Sequence, residues 1–160
     1  LIYQYILFDA DDTLFDYTKA EVFALTSLLK DHDIECSDEI LNSYRTINMQ
    51  LWKEFEVGNV DMITLRTKRF ERLIQEHSLS VKSDFQDFSQ RYLQFLGEAS
   101  FIIEGAIDIC RYLFDKGFRL AIITNGIKEV QLNRIENSQL KVHQAYLMRR
   151  KEWKLLKSMM

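Results

Sequence analysis

The chain has no proline and only five glycines in 160 residues. Proline alone makes up about 5% of ordinary globular sequence. No proline-rich or glycine-rich linker and no internal repeat divides the chain. Cysteine is equally scarce: Cys36 and Cys110 lie in separate regions. They read as reduced thiols rather than a disulfide framework, which suits a cytoplasmic protein. No long apolar run is present, so no membrane partner is expected. Residues 1–8 are too short and lack the charged start of a signal peptide, so cytoplasm is the default location. Positive charge is not in excess. The 21 Lys and Arg face 24 Asp and Glu, for a formal net charge of −3. With no basic patch outside a short stretch at residues 141–157, a nucleic-acid polymer is not an expected partner. His32, His77 and His143 are scattered and do not form a metal-ligand spacing.

What the chain does have is two short apolar runs that end in chemistry. Residues 1–8 are almost wholly aliphatic and aromatic, which predicts a strand buried on both faces. The run stops at Asp9-Ala10-Asp11-Asp12-Thr13. Carboxylates at the edge of a core are costly unless paired or metal-bound, and open α/β sheets bind ligands just beyond the carboxyl ends of their strands. Asp9 is placed to be a nucleophile or a metal ligand. Asp11, two residues on, points the same way in an extended chain. One acid could attack phosphorus while the other protonates the leaving oxygen and later activates water. Two close acids repel, and oxygen ligands beside a phosphate favour Mg²⁺. A blander reading stands beside this one: Asp11, Asp12 and Thr13 only cap the next helix.

The second run, residues 118–123, ends in Thr124-Asn125-Gly126. A hydroxyl at a strand tip, followed by a turn and a helix start, can bind a phosphoryl oxygen. Asn125-Gly126 could equally be a plain turn. Between the two runs, apolar spacing predicts helices over 25–29, 40–55, 64–77 and 85–96, with a turn at Gly58-Asn59. Residues 104–116 read as a helix ended by Gly117, and 127–138 as the helix after the second strand.

These motifs resemble the haloacid dehalogenase-like (HAD) hydrolase superfamily. Asp9-Ala10-Asp11-Asp12-Thr13-Leu14 is similar to its first motif and Thr124-Asn125-Gly126 to its second. The resemblance implies an α/β fold, a Rossmann-like parallel sheet with an inserted α-helical cap. Residues 1–15 and 100–148 would form a partial core, 16–99 the cap, and 149–160 an atypical tail. It implies that Asp9 is the nucleophile and a Mg²⁺ ligand. Asp11 would be the general acid/base and give its backbone carbonyl to the metal, and Thr124, with Asn125 and Gly126, would bind the transferred phosphoryl group. The second acid favours phosphate-ester hydrolysis over dehalogenation, because halide needs no proton on leaving. Ile47-Asn48-x-x-Leu51-Trp52-x-x-Phe55-Glu56-x-Gly58, with Leu65-x-x-x-Arg69-Phe70, resembles the cap of the pyrimidine 5′-nucleotidase-like branch, and Asp12 fits that branch. A nucleoside monophosphate is then the implied substrate. A sugar phosphate, a phosphomutase reaction or a non-catalytic fragment are the alternatives. Trp52 and Phe55 share a helical stripe with Tyr44, which is either core or a surface that stacks on a base. Arg69 would pair with Glu56 or approach the substrate.

The resemblance covers about residues 2–140. The family's later lysine, usually followed by proline, has only Lys157-Ser158 at about its spacing, and a solvated tail lysine is the competing reading. No late acidic pair follows. The expectation is that a frameshift near His143 replaced the C-terminal half; a short non-catalytic relative is the other possibility. Only residues 145–148 could make a third strand, and weak metal affinity with little turnover is expected.

Overall fold

A computed structural model describes residues 5–142 and 147–149, with side chains described through residue 140. The order of elements is β1 (Tyr5–Phe8), α1 (Tyr17–Lys30), α2 (Asp38–Glu56), α3 (Met62–Glu76), α4 (Phe85–Glu98), α5 (Ala106–Asp115), β2 (Arg119–Thr124), α6 (Lys128–Glu136), a 3₁₀ turn (Gln139–Val142) and β3 (Leu147–Arg149). The three strands form one parallel sheet in the order β1-β2-β3. This is the expected α/β arrangement, a Rossmann-like parallel sheet with a helical unit inserted after its first strand. The expected third strand is present, shifted to Leu147–Arg149. Lys157, residues 143–146 and the tail beyond Arg149 lie outside the described residues.

The chain divides into two compact units, one built from residues up to Glu21 and from Leu96 onward, the other from Val22–Phe95. In the first, the core lies on one face of the sheet. Leu120 and Ile122 of β2, with Ile6 and Phe8 of β1, pack against Ala106 and Cys110 of α5 and Ile135 of α6. The connections β1 to β2 and β2 to β3 step the same way across the sheet; for the right-handed crossover usual in parallel sheets, such steps put their helices on one face. The opposite face is open at β1, where Tyr5 and Leu7 are 50% and 38% exposed, although Ala121 of β2, beside Leu7, is buried. The expectation of a strand buried on both faces therefore fails for the described part of β1, because both described helices cover one side. Gly117 ends α5 at φ 85°, a left-handed conformation that costs glycine no Cβ clash.

The second unit is helical. Ser37 starts α2 by accepting the N–H of Ile40, and Asp61 starts α3 by accepting that of Thr64, each satisfying one of a helix's orphan donors. Gly58, at φ 83°, makes the expected turn between them. Tyr44, Phe70, Phe88 and Tyr92 form its buried aromatic centre, with Tyr44–Phe70 and Phe70–Tyr92 ring centroids 5.7 and 5.2 Å apart. Among the described residues no helix is long and apolar enough to cross a membrane.

Candidate functional site

Parallel pairing aligns Phe8 with Ile122, so Asp9 leaves β1 beside the last residues of β2. There Leu7, Phe8, Asp9, Ile123, Thr124 and Asn125 line an open cleft of about 200 Å³. Asp9 is exposed, and its Oδ1 accepts the Ala10 N–H at 2.7 Å. The chain then turns tightly: Leu14 and Phe15 both donate to the Ala10 carbonyl, at 3.0 and 2.9 Å. Asp12 sits inside this turn at φ 57°, a left-handed conformation in which aspartate is better tolerated than most side chains. Asp12 Oδ1 also accepts the N–H of Tyr17, the first residue of α1, at 3.3 Å. Asp12 thus reaches the first amide of α1, but the capping residue is Asp16, whose Oδ1 accepts the N–H of Lys19 at 2.9 Å. Asp11 does something else.

Thr124 is buried, and its Oγ1 accepts the N–H of Gly126 at 3.0 Å. That bond uses the oxygen as acceptor and leaves the hydroxyl proton to be donated. The extended residue Ile127 precedes α6 and makes no side-chain cap, so the first-turn amides of α6 are not used by a capping side chain. The Gly126 position is crowded on one side. A Cβ there would stand 2.4 Å from Gln131 Nε2 and 3.1 Å from Thr124 Oγ1.

Gln131 and Arg134 are the residues that motif reading missed. Gln131 Nε2 donates to Asp11 Oδ2 at 2.8 Å, and Arg134 Nη1 donates to Asp11 Oδ1 at 2.6 Å. Arg134 is fully buried, with its guanidinium 4.5 Å from the centroid of the Phe15 ring. Burial pushes the Asp11 carboxyl above its usual value, against the opposing pull of Arg134 and Gln131; the Asp9 charge adds to the rise. A signal was present in the sequence. Val130, Gln131, Arg134 and Ile135 share the buried stripe of α6, so half of that stripe is polar.

Asp9, Thr124 and Asn125 therefore share one cleft, with Gly126 and Asp11 joined to it through Gln131. Trp52, Phe55 and Arg69 belong to the helical unit. Trp52 and Phe55 are half-buried and meet edge to face at 5.7 Å, whereas Tyr44 is fully buried. The expected Arg69–Glu56 pair is not formed. Arg69 is only 2% exposed; its guanidinium lies 4.7, 4.9 and 6.0 Å from the Tyr92, Phe70 and Tyr44 rings. Its Nη1 donates to Asn48 Oδ1 at 3.3 Å. The aromatic centre offers a cation three ring faces, while Glu56 stays exposed at the end of α2.

For a divalent cation, the donors at this site are oxygens only. Asp9 offers an exposed carboxylate, and the Asp11 main-chain carbonyl lies two residues on. Both Asp11 carboxylate oxygens are already hydrogen-bonded to α6. Among the described residues no group of three or more His, Cys, Asp or Glu could hold a metal. Such a sparse, hard donor set fits Mg²⁺, which keeps several waters and binds through one or two carboxylates plus substrate phosphate.

Residues 3–145 match the model of the haloacid dehalogenase-like hydrolases. The chain is 36% identical over 138 residues to the protein YfnB of Bacillus subtilis (strain 168), covering 86% of this chain and 57% of that one. It is 32% identical over 140 residues to the pyrimidine 5′-nucleotidase PynA of Streptococcus pneumoniae (strain ATCC BAA-255 / R6), covering 88% of this chain and 58% of PynA. The fold matches the crystal structure of Bacillus subtilis YfnB bound to magnesium with a TM-score of 0.81 and 31% identity, over 94% of this chain and 64% of that structure. The chain thus spans less than two thirds of the length of these relatives.

Proposed function

Since the chain belongs to the haloacid dehalogenase-like hydrolase family, we propose that its site hydrolyses phosphate monoesters, with nucleoside 5′-monophosphates as substrates and Mg²⁺ as cofactor. The observation that carries this reading is the meeting of two strand tips: Asp9 and Thr124 line one cleft, with a second, partly buried acid beside them. The nucleotide preference is supported by the similarity to a pyrimidine 5′-nucleotidase.

In this mechanism a carboxylate oxygen of Asp9 attacks phosphorus, and the bond from phosphorus to the leaving ribose oxygen breaks. Asp11 delivers a proton to that oxygen, which the burial-raised proton affinity of its carboxyl favours. Asp11 then takes a proton from the water that attacks the aspartyl-phosphate, releasing phosphate and restoring Asp9. The Thr124 hydroxyl and the first amides of α6 receive the charge of the phosphoryl oxygens. Mg²⁺, held by Asp9 and the Asp11 carbonyl, would supply charge neutralisation for the phosphoryl group.

The test is phosphate release from a panel of nucleoside and sugar monophosphates, with Mg²⁺ or with a chelator, for the wild type and Asp9→Asn. Release that needs Mg²⁺ and falls at least about a thousandfold in Asp9→Asn is expected, since the nucleophile is lost outright. A folded sample that releases nothing would favour the second reading, a non-catalytic phosphate-binding chain.

A further inference from the structure

We propose that Gln131 and Arg134 are positioning residues: they grip both carboxylate oxygens of Asp11 and so fix where the proton donor stands relative to Asp9 and Thr124. The inference rests on the phosphate-ester reading above. Asp11 lies in a tight turn, on a short side chain free to rotate. Two donors spaced three residues apart on one helix face engage its two oxygens, at 2.8 and 2.6 Å. That leaves one rotamer in which both bonds are kept. The arginine bond is charge-assisted and short, the kind that holds geometry best.

The donors are themselves fixed. Gln131 is 2% exposed and Arg134 fully buried, so neither can swing into solvent. The Arg134 main-chain carbonyl accepts from Ser100 Oγ at 3.1 Å, which ties this turn of α6 to the segment before α5. Gln131 also packs against the missing side chain of Gly126, next to Thr124. One amide therefore touches the acid on one side and the phosphoryl-binding turn on the other. Gln131 Oε1 accepts from Arg134 Nη1 at 3.5 Å, so the two donors hold each other as well as Asp11; a purely structural role would not need the link to Gly126.

The two roles separate by leaving group. A ribose oxygen needs a proton to depart, whereas p-nitrophenolate leaves without one. Leaving-group release and phosphate release are measured with Mg²⁺ from uridine 5′-monophosphate and from p-nitrophenyl phosphate. In Arg134→Met and Gln131→Met, the single-turnover rate of leaving-group release is expected to fall about tenfold to a hundredfold for the nucleotide and less than about threefold for the aryl ester. Hydrolysis of the aspartyl-phosphate, which uses Asp11 as base with either ester, slows alike for both. Arg134→Lys recovers part of the loss, and in an Asp11→Asn background the selectivity disappears. Equal losses of leaving-group release with both esters would overturn the proposal. Gln131→Met, which removes no charge, carries the test if Arg134→Met fails to fold. If the wild type releases no phosphate from either ester, the functional reading fails for this chain. The positioning claim is then read from the Asp11 side chain: a single χ1 rotamer by ³J couplings in the wild type that averages in Gln131→Met supports it, and a rotamer distribution unchanged in Gln131→Met overturns it.

Discussion

Among the described residues each unit of the molecule buries one arginine, and the two are held in opposite ways. In the helical unit Arg69 sits among three aromatic rings with a single amide partner, Asn48. In the sheet unit Arg134 meets a carboxylate and a glutamine amide, with one ring beside it. Both leave Nε and Nη2 without a hydrogen-bond partner among the described residues. A guanidinium is flat and weakly hydrated, so its faces can be satisfied by π-systems and its edge by oxygens. Arg69 uses chiefly its faces and serves as packing. Arg134 uses its edge on an acid that lines up with the two strand tips, and its burial is tied to the site. A buried charge therefore points to chemistry according to what meets it, and burial alone does not distinguish the two cases.

The sharpest way to break this comparison is truncation. Arg69→Ala should destabilise by about 2–4 kcal/mol, from lost packing and lost cation–π contact, read as a lower urea midpoint. Arg69→Met, which keeps the volume, should stay within about 1.5 kcal/mol of wild type. Arg134→Met should cost more than Arg69→Met, about 2–3 kcal/mol. It strands the Asp11 carboxylate, whose side chain is 29% exposed and so partly relieved by water. Equal costs for the two methionine variants would remove the distinction drawn here.

A smaller effect is expected at Gly126. In Gly126→Ala the new Cβ displaces the Gln131 amide from Asp11, costing about 1 kcal/mol for the lost hydrogen bond. Leaving-group release in a single turnover should fall more with the nucleotide than with p-nitrophenyl phosphate. An unchanged ratio between the two esters would mean that Gln131 keeps its grip by another route.

The smallest effect separates the units by pH. The N–H of Thr64 holds the Asp61 carboxyl below its ordinary value of 3.8. A lowered folded value means stability present above pH 3.8 and lost as pH falls through the folded value. Asp61→Asn should therefore flatten the acid limb of the stability curve below about pH 4 and leave neutral pH almost unchanged, because asparagine also caps helices. An acid limb identical to wild type would remove Asp61 from the account.

Much of the local structure was legible without a fold. The helices over 38–56, 62–76 and 85–98 follow from apolar residues recurring each turn, which forces a helix to bury one face. The two strand tips were legible for a different reason: acids and a hydroxyl that end apolar runs have few inexpensive places to stand. That also made Asp9, Asp11 and Thr124 visible as a set before any pairing was known.

Tertiary structure alone decided the rest. Nothing in β1 itself says that Tyr5 and Leu7 face outward, because that depends on which side of the sheet α5 and α6 cross. Nothing near Asp11 names Gln131 and Arg134, which are 120 and 123 residues away in the chain. Nor does Arg69 carry a local mark that it will meet three rings instead of Glu56. Spacing along a chain reports what one element buries, because that face is fixed by helix or strand period. Which residue meets a buried charge is set by how separate elements pack, and the amino-acid sequence encodes that only through the whole fold.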